Sequence, residues 1–132
     1  MKVIGITGSS GAGKSTVCEI IEELYDVCII NADKIAKELS KKGSSYVEGI
    51  ANIFGKTILT EDGELNRKKL ADLIYTDDQK RKMLNGYTFN HIVKKVKKIV
   101  ETTTKELVII DAPLLFEAEL DKLCDYTIGI IS

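Results

Sequence analysis

A chain of 132 residues with 44% apolar and 30% charged side chains has room for one domain with its own core, and this composition excludes a disordered chain. A formal net charge of −1 argues against a dedicated nucleic-acid binder. No apolar run approaches the roughly 20 residues that cross a bilayer, and Met1-Lys2 leads straight into an apolar run with no space for a signal peptide, so a cytoplasmic protein away from membranes is expected.

In chain order, Val3-Ile4-Gly5-Ile6-Thr7 is a short apolar run of strand type, followed by Gly8-Ser9-Ser10-Gly11-Ala12-Gly13-Lys14-Ser15. That octapeptide fits G-x-x-x-x-G-K-[ST] at every fixed position and reads as a P-loop. Glycines let the backbone turn tightly and aim successive N–H groups inward, and the helix that follows adds its positive end, so polyphosphate oxygens are held. Gly8, Gly11, Ala12, Gly13, Lys14, Ser15 and Thr16 form the candidate nucleotide-binding set. Lys14 is expected to reach the β- and γ-phosphates of the bound nucleotide, and the Ser15 hydroxyl to ligate Mg²⁺. Val17, Ile20, Ile21 and Leu24 recur at i, i+3, i+4 and i+7, which predicts a helix from near Gly13 with those four on its apolar face.

Val27-Cys28-Ile29-Ile30 predicts a second buried strand running into Asn31-Ala32-Asp33 and then a helical pattern with Ile35, Ala36 and Leu39. An acidic residue therefore sits at the carboxyl end of a strand, the edge at which open parallel α/β sheets bind ligands. Asp33 reads equally as a helix N-cap and as a catalytic carboxylate, and the two roles are compatible. Ser40 to Ser45 is a polar linker. From roughly Tyr46 to Tyr87 nothing resembles a buried strand: Val47, Ile50, Ala51 and Phe54 mark a helix, Asp62-Gly63 a turn, and Asn66 a cap for a helix carrying Leu70, Leu73 and Ile74. This predicts a helical insertion, about residues 46–88, between the second and third strands; in a phosphotransferase such an insertion is where an acceptor substrate is gripped.

From Phe89 to about Thr103 another helix is predicted, with Ile92, Val93, Val96, Ile99 and Val100 on one side and Lys94, Lys95, Lys97 and Lys98 on a solvated face. Leu107-Val108-Ile109-Ile110-Asp111 is a third strand ending in a carboxylate, the pattern by which P-loop proteins hold Mg²⁺ beside the loop serine. Ala112 to Glu117 reads as a helix-like link, and residues 126–131 as a last strand. Cys18, Cys28 and Cys124, without C-x-x-C spacing, read as small buried thiols, and His91 stands alone, which leaves no histidine metal site. The fold class expected is α/β: a three-layer P-loop NTPase fold with a parallel sheet, one domain over residues 1–132, and a helical acceptor-binding insertion.

Asp111 is followed by Ala-Pro-Leu and not by the Asp-x-x-Gly switch of GTPases, which disfavours that branch. The P-loop, Asn31-Ala32-Asp33, Phe54-Gly55, Ile58-Leu59, Asp62-Gly63, Leu65-Asn66-Arg67, Leu84-Asn85 and above all Asp111-Ala112-Pro113-Leu114-Leu115-Phe116-Glu117 resemble the dephospho-CoA kinase family in order and spacing. The resemblance implies ATP-dependent phosphorylation of the 3′-hydroxyl of dephospho-CoA, with Asp33 at the position of the proposed base, Lys14 supporting transfer, and Ser15 with Asp111 at Mg²⁺. Arg67 is the candidate for contacting the acceptor, an ion pair at the surface being its other reading. The chain departs from the family pattern at Asn31, where the family has Asp, and at Phe89-Asn90, where a His-Pro is expected. It also carries only Arg67 and Arg81, both before Asp111, so no arginine of a downstream lid is present; a chain shortened at its C-terminus is the expectation. Another small-molecule or nucleoside monophosphate kinase, and a non-catalytic nucleotide-binding remnant, are the alternatives.

Overall fold

The computed structural model describes residues 1–8 and 13–130. In order, the elements are β1 (Lys2–Thr7), α1 (Lys14–Leu24), β2 (Val27–Asn31), α2 (Ala32–Leu39), α3 (Ser45–Phe54), a 3₁₀ turn (Lys56–Ile58), α4 (Arg67–Thr76), α5 (Asp78–Thr102), β3 (Leu107–Asp111), a second 3₁₀ turn (Leu120–Leu123) and β4 (Tyr126–Gly129). The chain divides into two compact units, one formed by residues 1–33 with the segment from 92 onward, the other by residues 34–91. Among the described residues no helix is long and apolar enough to cross a membrane.

The first unit is built on a parallel sheet in the order β2-β3-β1-β4. Val108, Ile109 and Ile110 of β3 are fully buried, so both sheet faces are covered and the strand reads as a continuous apolar run rather than an alternating one. On one face Ile6 and Ile109 pack with Cys18 of α1, flanked by Val17 and Ile21. On the other, Gly5 lies close against Leu115 and Cys124, so a Cβ there meets both side chains at 2.8 Å.

The α1 helix corrects one expectation: Ile20 and Leu24 are exposed, and the buried face is Lys14, Val17, Cys18 and Ile21. At 100° per residue the centre of that face falls between Cys18 and Ile21, which puts Ile20 on the flank, while Leu24 lies in the helix's last turn. The last strand also stops earlier than expected, at Gly129, and all four of its residues are exposed, as suits a strand paired only with β1 among the described residues. Ile131, at the end of the expected strand, lies outside the described residues. Of the thiols, Cys18 is buried whereas Cys28 and Cys124 are half-buried.

The second unit is helical. Tyr46, Val47 and Ile50 of α3, Ile58 and Leu84 form its core, with Phe54, Leu65, Leu70 and Ile74 packed around them. Ser44 caps α3 by accepting from the Val47 N–H at 3.2 Å, and Asn66 caps α4 by accepting from the Lys69 N–H at 3.1 Å, as its position in the sequence predicts. Between them Gly63, with φ of 85°, closes a turn onto Thr60, and Leu59 bridges Leu65 without extending into a strand. The helix expected from Phe89 begins eleven residues earlier, at Asp78, because Gly86 has open space around it and costs only about 1 kcal/mol of helix propensity.

Candidate nucleotide-binding site

Parallel register brings three strand ends together at the carboxyl edge of the sheet. Ile6 is level with Asp111, and Asn31 is level with Asp111 on the other side. β1 therefore delivers Thr7 and Gly8 to the edge, β3 delivers Asp111, and β2 delivers Asn31. Asp33 follows two residues later.

Gly8 has φ of 148°, and a Cβ on it lands 2.7 Å from the Ile130 carbonyl oxygen, so no other residue fits without moving the backbone. Gly13, at φ 91°, opens α1 without a side-chain cap, and the first turn of that helix carries no acidic residue. The helix's free N–H groups and positive end are thus left for an anion. Ser15 and Thr16 are exposed in that first turn. Gly11 and Ala12 of the candidate set, with Ser9 and Ser10, lie outside the described residues.

Lys14 and Asp111 are each only 8% exposed, and the Lys14 ammonium donates to Asp111 Oδ1 at 3.1 Å. Asn31 Nδ2 donates to the other oxygen, Oδ2, at 3.5 Å. A buried carboxylate is tolerated here because both of its oxygens are engaged. One turn along α1, burial and the Asp111 carboxylate push the Cys18 thiol up, with Lys14 pulling the other way, and the side chain packs into the core with Ile6 and Ile109. The Thr7 hydroxyl donates to the Pro113 carbonyl at 3.1 Å, which ties the end of β1 to the segment after Asp111.

Asp33 is exposed and lies inside the first turn of α2, not ahead of it. The N-cap role is therefore corrected: β2 passes into α2 with no intervening loop, and Asp33 is left as a carboxylate at a helix's positive end. Arg67 is the first residue of α4 in the helical unit, exposed and without an ion-pair partner among the described residues, so its reading as a surface ion pair is not met. The four lysines of α5, Lys94, Lys95, Lys97 and Lys98, are exposed as expected of a solvated face. Sequence reasoning missed the Lys14–Asp111 pair and the engagement of Asn31. For Asn31 and Asp111 the signal was present: two apolar runs, each ending on a polar side chain, become neighbours once the strands are parallel and in register.

This arrangement joins helix amides, an ammonium, two hydroxyls and a carboxylate around the end of one sheet, the chemistry that holds a polyphosphate and a hard cation. Comparison with known proteins gives the family of the chain. The family model described as dephospho-CoA kinase matches residues 2–132. The dephospho-CoA kinase of Fusobacterium nucleatum is 38% identical over 130 residues, covering 98% of this chain and 66% of the relative; that of Carboxydothermus hydrogenoformans is 39% identical over 128 residues, covering 95% and 62%. A crystal structure from Thermus thermophilus superposes with a TM-score of 0.78 at 25% identity, over 98% of this chain and 65% of that one. A dephospho-CoA kinase structure from Campylobacter jejuni gives 0.68 at 28% identity, over 96% and 65%. The chain thus spans about two thirds of the length of these relatives. With the P-loop signature, the parallel sheet and the Asp111 to Glu117 segment all in place, the chain belongs to the dephospho-CoA kinase family.

Proposed function

We propose that the protein transfers the γ-phosphoryl group of ATP to the 3′-hydroxyl of dephospho-CoA in the cytoplasm. The observation that supports this reading is that Gly8, Lys14 and Asp111 gather at one sheet edge, with Asp33 two residues beyond the end of β2, in a chain of this family. Phosphoryl transfer asks little covalent chemistry of a protein and much positioning and charge neutralisation. The loop amides from Gly8 to Thr16 hold the phosphates, and Lys14, whose ammonium already neutralises one carboxylate, shares its charge with the β- and γ-oxygens. Asp33 accepts the proton of the acceptor hydroxyl as its oxygen bonds to the γ-phosphorus and the bond to the β-phosphate oxygen breaks, releasing ADP. The helical insertion, about residues 46–88, grips the acceptor, with Arg67 contacting it.

Ser15 and Asp111 are the residues that suit Mg²⁺. Among the described residues no three His, Cys, Asp or Glu side chains gather into a metal cage. A hydroxyl and one carboxylate match an ion that prefers one or two protein oxygens together with substrate phosphates. Bound there, it supplies neutralisation of phosphate charge.

The test is an acceptor panel offered with Mg-ATP: dephospho-CoA, adenosine and cytidine monophosphates, and no acceptor. ADP release that depends on dephospho-CoA is expected. Phosphorylation of a nucleoside monophosphate alone, or ATP binding without turnover on any acceptor, overturns the reading in favour of another kinase or a binding remnant.

A further inference from the structure

The helical unit contains a hollow of about 360 Å³ lined by Lys37, Lys41 and Lys42, from the end of α2 and the turn after it, and by Glu64, Leu65 and Arg67. Its four cations are exposed, and among the described residues none has a carboxylate within ion-pairing distance, Glu64 included. Lysines near the C-terminal end of α2 are favoured by the helix dipole, which accounts for part of this charge. The dipole does not account for Arg67. α4 begins Arg67-Lys68-Lys69 with no acid in its first turn, and cations at that end are disfavoured by the helix dipole. Four like charges around one hollow also repel one another. The volume lies within the roughly 300–1,000 Å³ of small-molecule sites and is larger than a lone phosphate needs.

We propose that this hollow is a subsite for the phosphate groups of a phosphorylated organic anion, with Lys37, Lys41, Lys42 and Arg67 as its cationic lining and Leu65 as its apolar contact. An incoming diphosphate relieves the mutual repulsion of the cations and offers oxygens enough for all four, with the arginine's planar fork able to take two at once. Two sources carry this chemistry: the diphosphate bridge of dephospho-CoA, an identification that rests on the proposed kinase reaction, or a free phosphorylated effector.

Amide NMR of the whole chain titrated with inorganic pyrophosphate is the test. Two groups of shifts are expected, at residues 13–17 of the P-loop helix and at residues 37–42 with 64–68. Lys41→Gln with Lys42→Gln, both at exposed positions that leave the fold intact, is expected to weaken the second group's affinity about tenfold or more and leave the first unchanged. Shifts confined to residues 13–17, or an unchanged affinity in the double variant, overturn the subsite. Turnover then separates the sources. A KM for dephospho-CoA raised about tenfold with kcat nearly constant identifies the acceptor, whereas an unchanged KM alongside lost pyrophosphate binding identifies an effector. If dephospho-CoA is not phosphorylated at all yet pyrophosphate moves the helical-unit amides, the kinase reading fails and the subsite stands.

Discussion

Lys14 and Asp111 form one buried pair that bears on stability and, in the proposed reaction, on chemistry. Each is almost fully enclosed, so removing either leaves an uncompensated charge. Lys14→Ala is expected to destabilise the protein by about 3 kcal/mol or more in urea unfolding, and Lys14→Ala with Asp111→Ala to recover much of that loss; equal or additive losses would show that the pair is not coupled. Asp33, exposed and outside this pair, is where the proposed catalytic role can be tested apart from folding. Asp33→Asn is expected to keep the unfolding midpoint and ATP affinity while lowering kcat about 10²- to 10⁴-fold. A pH signature belongs to Cys124, whose thiol burial pushes up to about 11, with Asp121 and Asp125 adding to the rise from an ordinary value of 9.0. Between those values the unfolded chain has lost the proton that the folded chain keeps, so stability falls as pH rises from 9 towards 11. Cys124→Ala is expected to flatten this alkaline slope, measured as the unfolding midpoint against pH.

At the level of elements, α3 and α5 approach so closely within the helical unit that Gly49 has no room for a side chain. The Tyr87 hydroxyl donates to the Tyr46 carbonyl at 3.0 Å, and a Cβ on Gly49 would fall inside that hydroxyl. Alanine is the better helix former by about 1 kcal/mol, yet Gly49→Ala is expected to destabilise by about 1–3 kcal/mol, and Tyr87→Phe in that background to restore part of the loss. Thermal and urea unfolding check both, and a stabilised Gly49→Ala variant would refute the close approach. Such contacts are invisible in sequence, where Gly49 is only a glycine inside a helical pattern. The strands were legible because each is a continuous apolar run bounded by polar residues, and the cap at Asn66 because its chemistry is local. The burial of Lys14 rather than Ile20 depended on where the sheet lies, which hydrophobic period alone does not specify. In the same way, the P-loop motif located Lys14 and the third apolar run located Asp111, but their pairing needed the register of β1 against β3, and that of Asn31 with Asp111 the register of β2 against β3.

Across the whole molecule, the two units carry different proposed chemistry: the sheet unit holds the P-loop edge, and the helical unit holds Arg67 and the basic hollow. Ligands that bind one unit stabilise mainly the amides whose opening abolishes that site. Hydrogen exchange therefore assigns each ligand to its unit. With Mg-ATP at about 100 times its dissociation constant, amides of Ile6 to Gly8, of the start of α1 and around Asp111 are expected to slow by up to about 100-fold. With dephospho-CoA alone, the slowed amides are expected to be those at residues 37–42 and 64–69, while the P-loop edge changes little. Both ligands protecting only the sheet unit would remove the acceptor from the helical unit. Protection there by dephospho-CoA that vanishes in the Lys41→Gln, Lys42→Gln protein, with ATP protection intact, would place nucleotide and acceptor recognition in separate parts of one chain.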